Sequence, residues 1–405
     1  MNIFYFASNS SMFTQLLNVY KESVNRDIPS FFLYTEETNI THPSANMDKF
    51  SYSTNVETDL SSGYFIESLG MNLPFKPDIL MISRERWQPE QSIIHELKTK
   101  FNIKVYVVET SSHLINNIEN RLEMISRDTG FPQRHVDGYF EHSEYAKKRR
   151  TDCLYPEWSE KSIVVGNPRF DFLETDISKD SCVEKYDIDK SKKKILFWGV
   201  INTTRNKSFE LLRDLQEKHN EEYQIFYKPN PQEPINPLFR DQFYPSFFID
   251  GVTVIYDDAD IITMSELCDI HIGSITSICN YGFYFNKRVI NLNAICKVES
   301  FMNDFQRYVD EKREGVEDSA KFWMGVFNIE TIEEFKNFIG MSRLVKFKET
   351  NKYLTELASQ CINDYDLDYN FLTDEKKNPT KLIKLFDEYN DKSASKRIIN
   401  HLEKL

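Results

Sequence analysis

Between Asp269 and Asn293 the chain reads DIHIGSITSICNYGFYFNKRVINLN. The pattern is an apolar strand ending at Gly273, a hydroxyl turn Ser274-Ile275-Thr276-Ser277, a helix to about Asn286, and a second apolar strand from Arg288 to Leu292. A helix start offers unsatisfied N–H groups backed by the positive end of its dipole, which can seat a phosphate without a basic side chain. The same hydroxyls would serve equally as an ordinary helix cap. Two more donor-rich turns follow predicted strands. In the turn 199–206, Gly199 permits close backbone approach while Thr203, Thr204 and Arg205 supply donors. In Lys228-Pro-Asn-Pro231 the prolines stiffen the chain that presents Lys228 and Asn230. Three such turns at successive strand ends point to a ligand with phosphate groups, of which a nucleotide is the common case.

A different chemistry is offered by Ser83-Arg-Glu-Arg-Trp87, again after a predicted strand. Glu85 is the candidate general base for a hydroxyl, Arg84 and Arg86 flank it, and Trp87 is available to stack on a sugar ring. The flanking guanidinium groups would weaken a base, so the cluster reads equally as an ion pair that fixes the loop. Glu109 and His142 stand at similar strand ends, and His113 is less well placed. His271 lies inside a predicted buried strand, where a hydrogen-bonded structural role is expected. Asp187-Ile-Asp189 and Asp366-Leu-Asp368 have DxD spacing but fall in a linker and a tail, and Asp257-Asp-Ala-Asp260 reads as a helix cap. No metal site and no cofactor are expected. Neither a GxGxxG, a P-loop nor a nucleophile elbow follows any predicted strand, which lowers dehydrogenase, NTPase and hydrolase readings.

Positioning these turns requires alternating strands and helices. The first half supplies strands at 2–7, 31–34, 78–83, 103–108, 136–140 and 163–165, with helices at 12–24 and 91–101. Apolar runs of this length between amphipathic helices read as βαβ units on a parallel sheet. Residues 174–192 are polar and lack a clear strand, as an exposed linker would. A second series follows, with strands at 195–198, 223–227, 252–256, 270–272 and 288–292 and helices at 207–219 and 261–268. The expected organisation is an α/β domain over 1–173, a linker over 174–192, a second α/β domain over 193–345 and a helical tail over 346–405.

Forty percent hydrophobic and 14% aromatic residues in 405 provide apolar area for two cores. A formal charge of −13 makes nucleic acid an unlikely partner, because backbone binding needs a broad basic face. No apolar run approaches the roughly 20 residues that span a bilayer, and the first residues lack the features of a signal peptide, so a cytoplasmic location is expected. The basic runs Lys147–Arg150 and Lys192–Lys194 suit either a solvated surface or peripheral contact with an anionic membrane at its inner face. Six scattered cysteines show no metal or disulfide spacing.

Three segments together resemble the GT-B glycosyltransferases of bacterial surface-polysaccharide synthesis and their relatives that use CMP-sugars or CDP-polyols. Val165-Gly-Asn-Pro-Arg-Phe-Asp171 resembles the segment that closes the first domain in those enzymes, and Lys228-Pro-Asn-Pro231 resembles their KPHP segment. Gly273-Ser-Ile-Thr-Ser277 with Asn286-Lys-Arg-Val-Ile290 resembles their G-S-x-x-S, helix, G-K-P-V-I block. The resemblance spans mainly residues 130–295. It implies two Rossmann-like domains facing a central cleft, with the nucleotide-sugar donor held by the second and a glycan or glycolipid acceptor entering from the first. Phosphate would then rest on Ser274, Thr276 and Ser277 with Thr204, Arg205 and Lys228 nearby. Asn230 stands where relatives carry His, and cannot supply an imidazolium charge. Alternatives to sugar transfer therefore stay open: a CDP-polyol phosphotransferase of the teichoic-acid type, a glycosyltransferase acting on modified phage DNA, and an inactive nucleotide-binding protein of the same fold.

Overall fold

The run Ile3-Phe-Tyr-Phe-Ala7 forms β1 and is buried at every position, as a central strand of a two-sided sheet must be. The computed structural model describes residues 1–35, 47–58, 60–61, 63–85, 88–109, 135–144, 146–148, 160–171, 179–199, 205–229, 249–255, 260–273, 280–292, 360–362 and 387–405. The chain divides into two units, Met1–Leu173 with Ile383–Leu405, and Glu174–Leu382. Both are Rossmann-like α/β domains.

In the first unit β1 (Ile3–Ala7) is followed by α1 (Ser10–Asn25), β2 (Ser30–Tyr34), β3 (Ser51–Thr54), β4 (Tyr64–Ile66), β5 (Met71–Leu73) and β6 (Ile79–Ile82). Then come α2 (Gln88–Phe101), β7 (Lys104–Val108), β8 (Gly138–Glu141) and β9 (Ser162–Val164). The sheet runs in the order β3-β2-β1-β6-β7-β8-β9, parallel except for β3 at its edge, and β4–β5 form a separate antiparallel pair. Side-chain alternation divides the core in two. Ile3, Tyr5 and Ala7 face a layer with Met12, Leu16, Val19 and Tyr20 of α1, whereas Phe4 and Phe6 face Ile93, Ile94 and Leu97 of α2. Asn9 caps α1 by accepting from the Met12 N–H at 3.1 Å, and Asp27 follows its end at a positive φ of 56°.

The second unit contains α3 (Lys179–Lys185), β10 (Lys193–Trp198), α4 (Arg205–His219), β11 (Tyr223–Lys228), β12 (Val252–Val254) and α5 (Ile261–Leu267). β13 (Ile270–Gly273), α6 (Asn280–Tyr284), β14 (Arg288–Leu292) and β15 (Gln360–Ile362) follow among the described residues. Its described strands are parallel, in the order β12-β11-β10-β13-β14-β15. The stretch 174–192, read as exposed linker, carries α3, because Cys182 and Tyr186 are apolar enough to be buried. The Tyr186 hydroxyl and the Lys185 ammonium both meet the Asp260 carboxylate, each at 2.5 Å. Asp260 itself makes no side-chain cap on α5, contrary to the capping role expected for it; at φ −80° and ψ −14° its backbone is already helical rather than extended.

The last helix, α7 (Ala394–Leu402), returns to the first unit. Ile398, Ile399 and Leu402 join the core layer of α1. Asp171 accepts from the N–H groups of Ala394 at 3.0 Å and Ser395 at 2.5 Å, placing a carboxylate at the helix N-terminus. Gly166 sits at φ +90° with Asp387 so close that a Cβ there would lie 2.7 Å from its Oδ1. The Gly166–Asp171 segment thus anchors α7, and Asn18 of α1 donates to its Pro168 carbonyl at 2.7 Å.

Candidate functional site

In an open parallel sheet, ligands settle beyond the carboxyl ends of the strands where the strand order reverses. In the second unit that point lies between β10 and β13, which are paired through Ile195–Ile270 to Phe197–Ile272. Trp198-Gly199 ends the first of these strands and Gly273 the second, so two positions without a Cβ stand at the reversal. Lys228 ends the neighbouring β11 opposite Trp198, and its carbonyl accepts the Gly199 N–H at 2.8 Å. Its side chain is buried. These residues bring a buried lysine and two backbone positions without a Cβ to one sheet edge.

What holds that edge is a buried polar pair. The Trp198 Nε1–H donates to His271 Nδ1 at 3.2 Å, which leaves His271 Nε2 as the donor to the Ser265 carbonyl at 3.0 Å. Burial pushes the imidazole down to about 4, with the backbone bond opposing, so the ring is neutral at pH 7. The structural role expected of His271 is borne out, and the pair ties together the two strands that carry Gly199 and Gly273. Behind them Gly282 of α6 leaves no space for a side chain, since a Cβ would lie 2.6 Å from Val289 Cγ2 and 2.9 Å from His271 Cγ. Asn286 takes a left-handed φ of 53° just past α6, which explains why Asn can replace Gly in the Asn286-Lys-Arg turn.

The other candidates of this unit are placed less fully. Arg205 is the first residue of α4. Thr203, Thr204, Asn230, Ser274, Thr276 and Ser277 lie outside the described residues. So does the predicted helical stretch before Asn280, where α6 begins.

Along the first unit's carboxyl edge the character changes. Glu85 follows β6 and is buried, and Arg84 beside it is half-buried. Arg86 and Trp87 lie outside the described residues. Glu109 follows β7, Glu141 ends β8 and His142 follows it, all three buried. The main chain of this edge is tightly bonded, with the Glu109 N–H on the Phe140 carbonyl at 3.1 Å and the Val165 N–H on the Glu141 carbonyl at 2.9 Å. A further acid, Glu90 in the first turn of α2, was missed by sequence reasoning. Pro89-Glu90 carries the ordinary signal of a helix start, which conceals any second role.

Among the described residues no group of three His, Cys, Asp or Glu side chains could hold a metal ion. Asp187 and Asp189 serve a turn, where Asp189 accepts from the Ser191 N–H and hydroxyl. Among the described residues no helix is long and apolar enough to cross a membrane. In the basic runs Lys148 is exposed, and the Lys192 ammonium donates to the Asn220 carbonyl at 2.8 Å.

No protein-family model and no curated protein sequence matches this chain. Solved structures do. UDP-GlcNAc 2-epimerase from Neisseria meningitidis, bound to UDP-GlcNAc, superposes with a TM-score of 0.57 at 13% identity over 100% of both chains. The Methanocaldococcus jannaschii UDP-GlcNAc 2-epimerase gives 0.55 at 12% identity, again over 100% of both. The wall teichoic acid polymerase TagF gives 0.52 at 10% identity, over 100% of this chain and 88% of that one. The chain therefore has the GT-B-like fold of two Rossmann-like domains with a C-terminal helix, the fold shared by nucleotide-sugar epimerases and by a polymerase of wall teichoic acid.

Proposed function

We propose that the protein is an enzyme of nucleotide-activated sugars that transfers the sugar to a hydroxyl of a surface glycan or glycolipid. The observation that carries this reading is the second unit's switch point, where Gly199 and Gly273 present no Cβ and Lys228 stands alongside. Such an edge suits a diphosphate approached by main-chain N–H groups. Arg205 at the start of the 15-residue α4 adds to the same end of the sheet. Ser274, Thr276, Ser277, Thr203, Thr204 and Asn230 complete the donor site in this reading. In the first unit Glu85 takes the acceptor's proton as the acceptor oxygen bonds to the anomeric carbon. The bond from that carbon to the phosphate oxygen breaks, and the nucleotide leaves as an anion.

A second reading, conversion of the sugar while it stays on its nucleotide, is favoured by the likeness to UDP-GlcNAc 2-epimerases. The two readings differ in product, since transfer releases free nucleotide and epimerisation does not. The first test is thermal stabilisation by CMP, CDP, UDP, GDP and ADP, for the wild type and Lys228→Ala. One nucleotide is expected to stabilise, and the variant should bind it about tenfold more weakly, the effect of losing one charge-assisted contact. Stabilisation by none of the five would sink the donor-site assignment.

A further inference from the structure

The first unit's sheet has its own reversal of strand order, between β1 and β6, and one ionisable group there has no part in the reaction drawn above. Glu90 is fully buried in the first turn of α2. Its Oε1 accepts the Ser8 main-chain N–H at 3.3 Å, so a side chain from α2 reaches across to the turn after β1. The register of β1 on β6 ends at Tyr5–Met81, and two residues further along stand Ala7 and Ser83. Ser8, Ser83 and Glu90 therefore share one end of the sheet. Glu90 Oε2 and Ser83 Oγ, both buried, have no hydrogen-bond partner among the described residues.

A structural carboxylate in the interior usually accepts two or three strong bonds that keep it ionised. Glu90 accepts from Ser8 and from its own main-chain N–H, and these bonds do not offset its burial. Burial pushes it up to about 7, opposed by its bonds to Ser8 and by the guanidinium of Arg84, the charged group that acts on it. Each ionisation state has a distinct consequence. Ionised, the carboxyl makes a charge-assisted bond to the Ser8 N–H and attracts Arg84; protonated, it loses both effects.

We propose that Glu90 is a positioning residue of the first unit's substrate edge: it ties the turn after β1 to the turn after β6 and holds Arg84 in place for a hydroxylated acceptor. The inference rests on the transfer reading above. Glu90 acts through Ser8 and Arg84, and the substrate class is a sugar hydroxyl presented where the strand order reverses. A merely structural Glu90 would affect stability without giving activity a titration of its own.

The experiment measures UDP release from UDP-N-acetylglucosamine with N-acetylglucosamine as acceptor, between pH 5.5 and 8.5, in the wild type, Glu90→Gln and Glu90→Asp. The wild-type kcat/KM for acceptor should rise about tenfold from pH 6 to pH 8, as expected for a group ionising near 7. Glu90→Gln, which keeps the size but cannot ionise, should give a flat profile. Its stabilisation by UDP and its KM for donor should be unchanged. Glu90→Asp should restore a titration at a shifted midpoint, and it decides the matter should Glu90→Gln fail to fold. The same rise in Glu90→Gln, or an unshifted midpoint in Glu90→Asp, would overturn the role of Glu90 alone. Absence of wild-type turnover with UDP stabilisation intact would overturn transfer from this donor to this acceptor, and with it the role of Glu90 in that reaction.

Discussion

The two units use one scaffold and finish it in opposite ways. Each has a largely parallel sheet whose order reverses beside its first strand, at β1 and β6 in one and at β10 and β13 in the other. The first unit's carboxyl edge carries buried acids, Glu85, Glu90, Glu109 and Glu141. The second unit ends its central strands in Gly199 and Gly273, with Lys228 alongside and a neutral His271 beneath. Removing Cβ atoms and adding a cation suits a polyanion held by backbone. Of these acids Glu90 is pushed up to about 7 by burial, which suits a group that changes charge near neutral pH. In the transfer reading proposed above, the shared fold sets where ligands lie and the residues at the strand ends decide which chemistry each sheet would perform.

The sharpest way to break this comparison is to disable one edge from within. Trp198→Ala removes a large buried ring and leaves His271 Nδ1 without its donor. The expected loss is about 3–5 kcal/mol, the range for truncating a core aromatic. It should fall on the second unit, with stabilisation by nucleotide abolished, while the first unit unfolds at an unchanged denaturant concentration. Urea unfolding followed by segment-resolved hydrogen exchange reads the two units separately. Equal loss of protection in both would mean that the edges cannot be treated as independent.

How much of this arrangement was legible depended on where the information lay. Runs such as Ile3–Ala7 and Ile195–Trp198 announce central parallel strands because every position is apolar, which is what burial on both faces demands. The glycines and Lys228 were legible because each follows a predicted strand. β3, β4 and β5 were not, since three or four residues with exposed Tyr52, Tyr64 and Phe65 carry no periodic signal. α3 was hidden because Cys182 and Tyr186 are few among polar neighbours. The destination of α7 was invisible as well, for its partners Asp171 and α1 lie more than 220 residues away. Glu90 shows the same limit at the site, because a helix-start acid reveals its burial only once β1 is placed beside it. Nucleotide-sugar epimerisation did not arise from the motifs at all, which are short and common to several activities of the fold.

A second prediction sharpens the acidic side of the comparison. Asp387 accepts the N–H groups of Tyr389 at 3.3 Å and Asn390 at 3.1 Å, yet burial pushes it up to about 6. The nearby Asp171, also raised by burial, adds to the effect. A carboxyl whose folded pKa lies above its unfolded value contributes stability that is fully present below about pH 4. That contribution is lost as the pH rises through 6. The first unit should therefore lose about 2 kcal/mol between pH 4 and pH 7 from this group, and Asp387→Asn should flatten that part of the curve. Urea unfolding at several pH values measures it. A slope in the variant equal to that of the wild type would show that Asp387 is not the group responsible, and would place the pH response elsewhere on the acidic edge.

The smallest effect separates charge from packing at the seat of α7. Arg26 donates to Asn400 at 2.7 Å and pairs with Glu22 and Glu403, each at 2.8 Å, with its side chain 24% exposed. Water competes for such a pair, so Arg26→Ala should lower the first unit's stability by under about 1 kcal/mol and less again in high salt. Ile399→Ala on the same helix removes a fully buried side chain and should cost about 2–5 kcal/mol. The ratio is the informative quantity. If the arginine proves the more costly of the two, α7 is fastened by its charges, and the first unit's electrostatics then serve cohesion as well as its carboxyl edge. If the isoleucine dominates, cohesion in both units is apolar and the difference between them is confined to the strand ends.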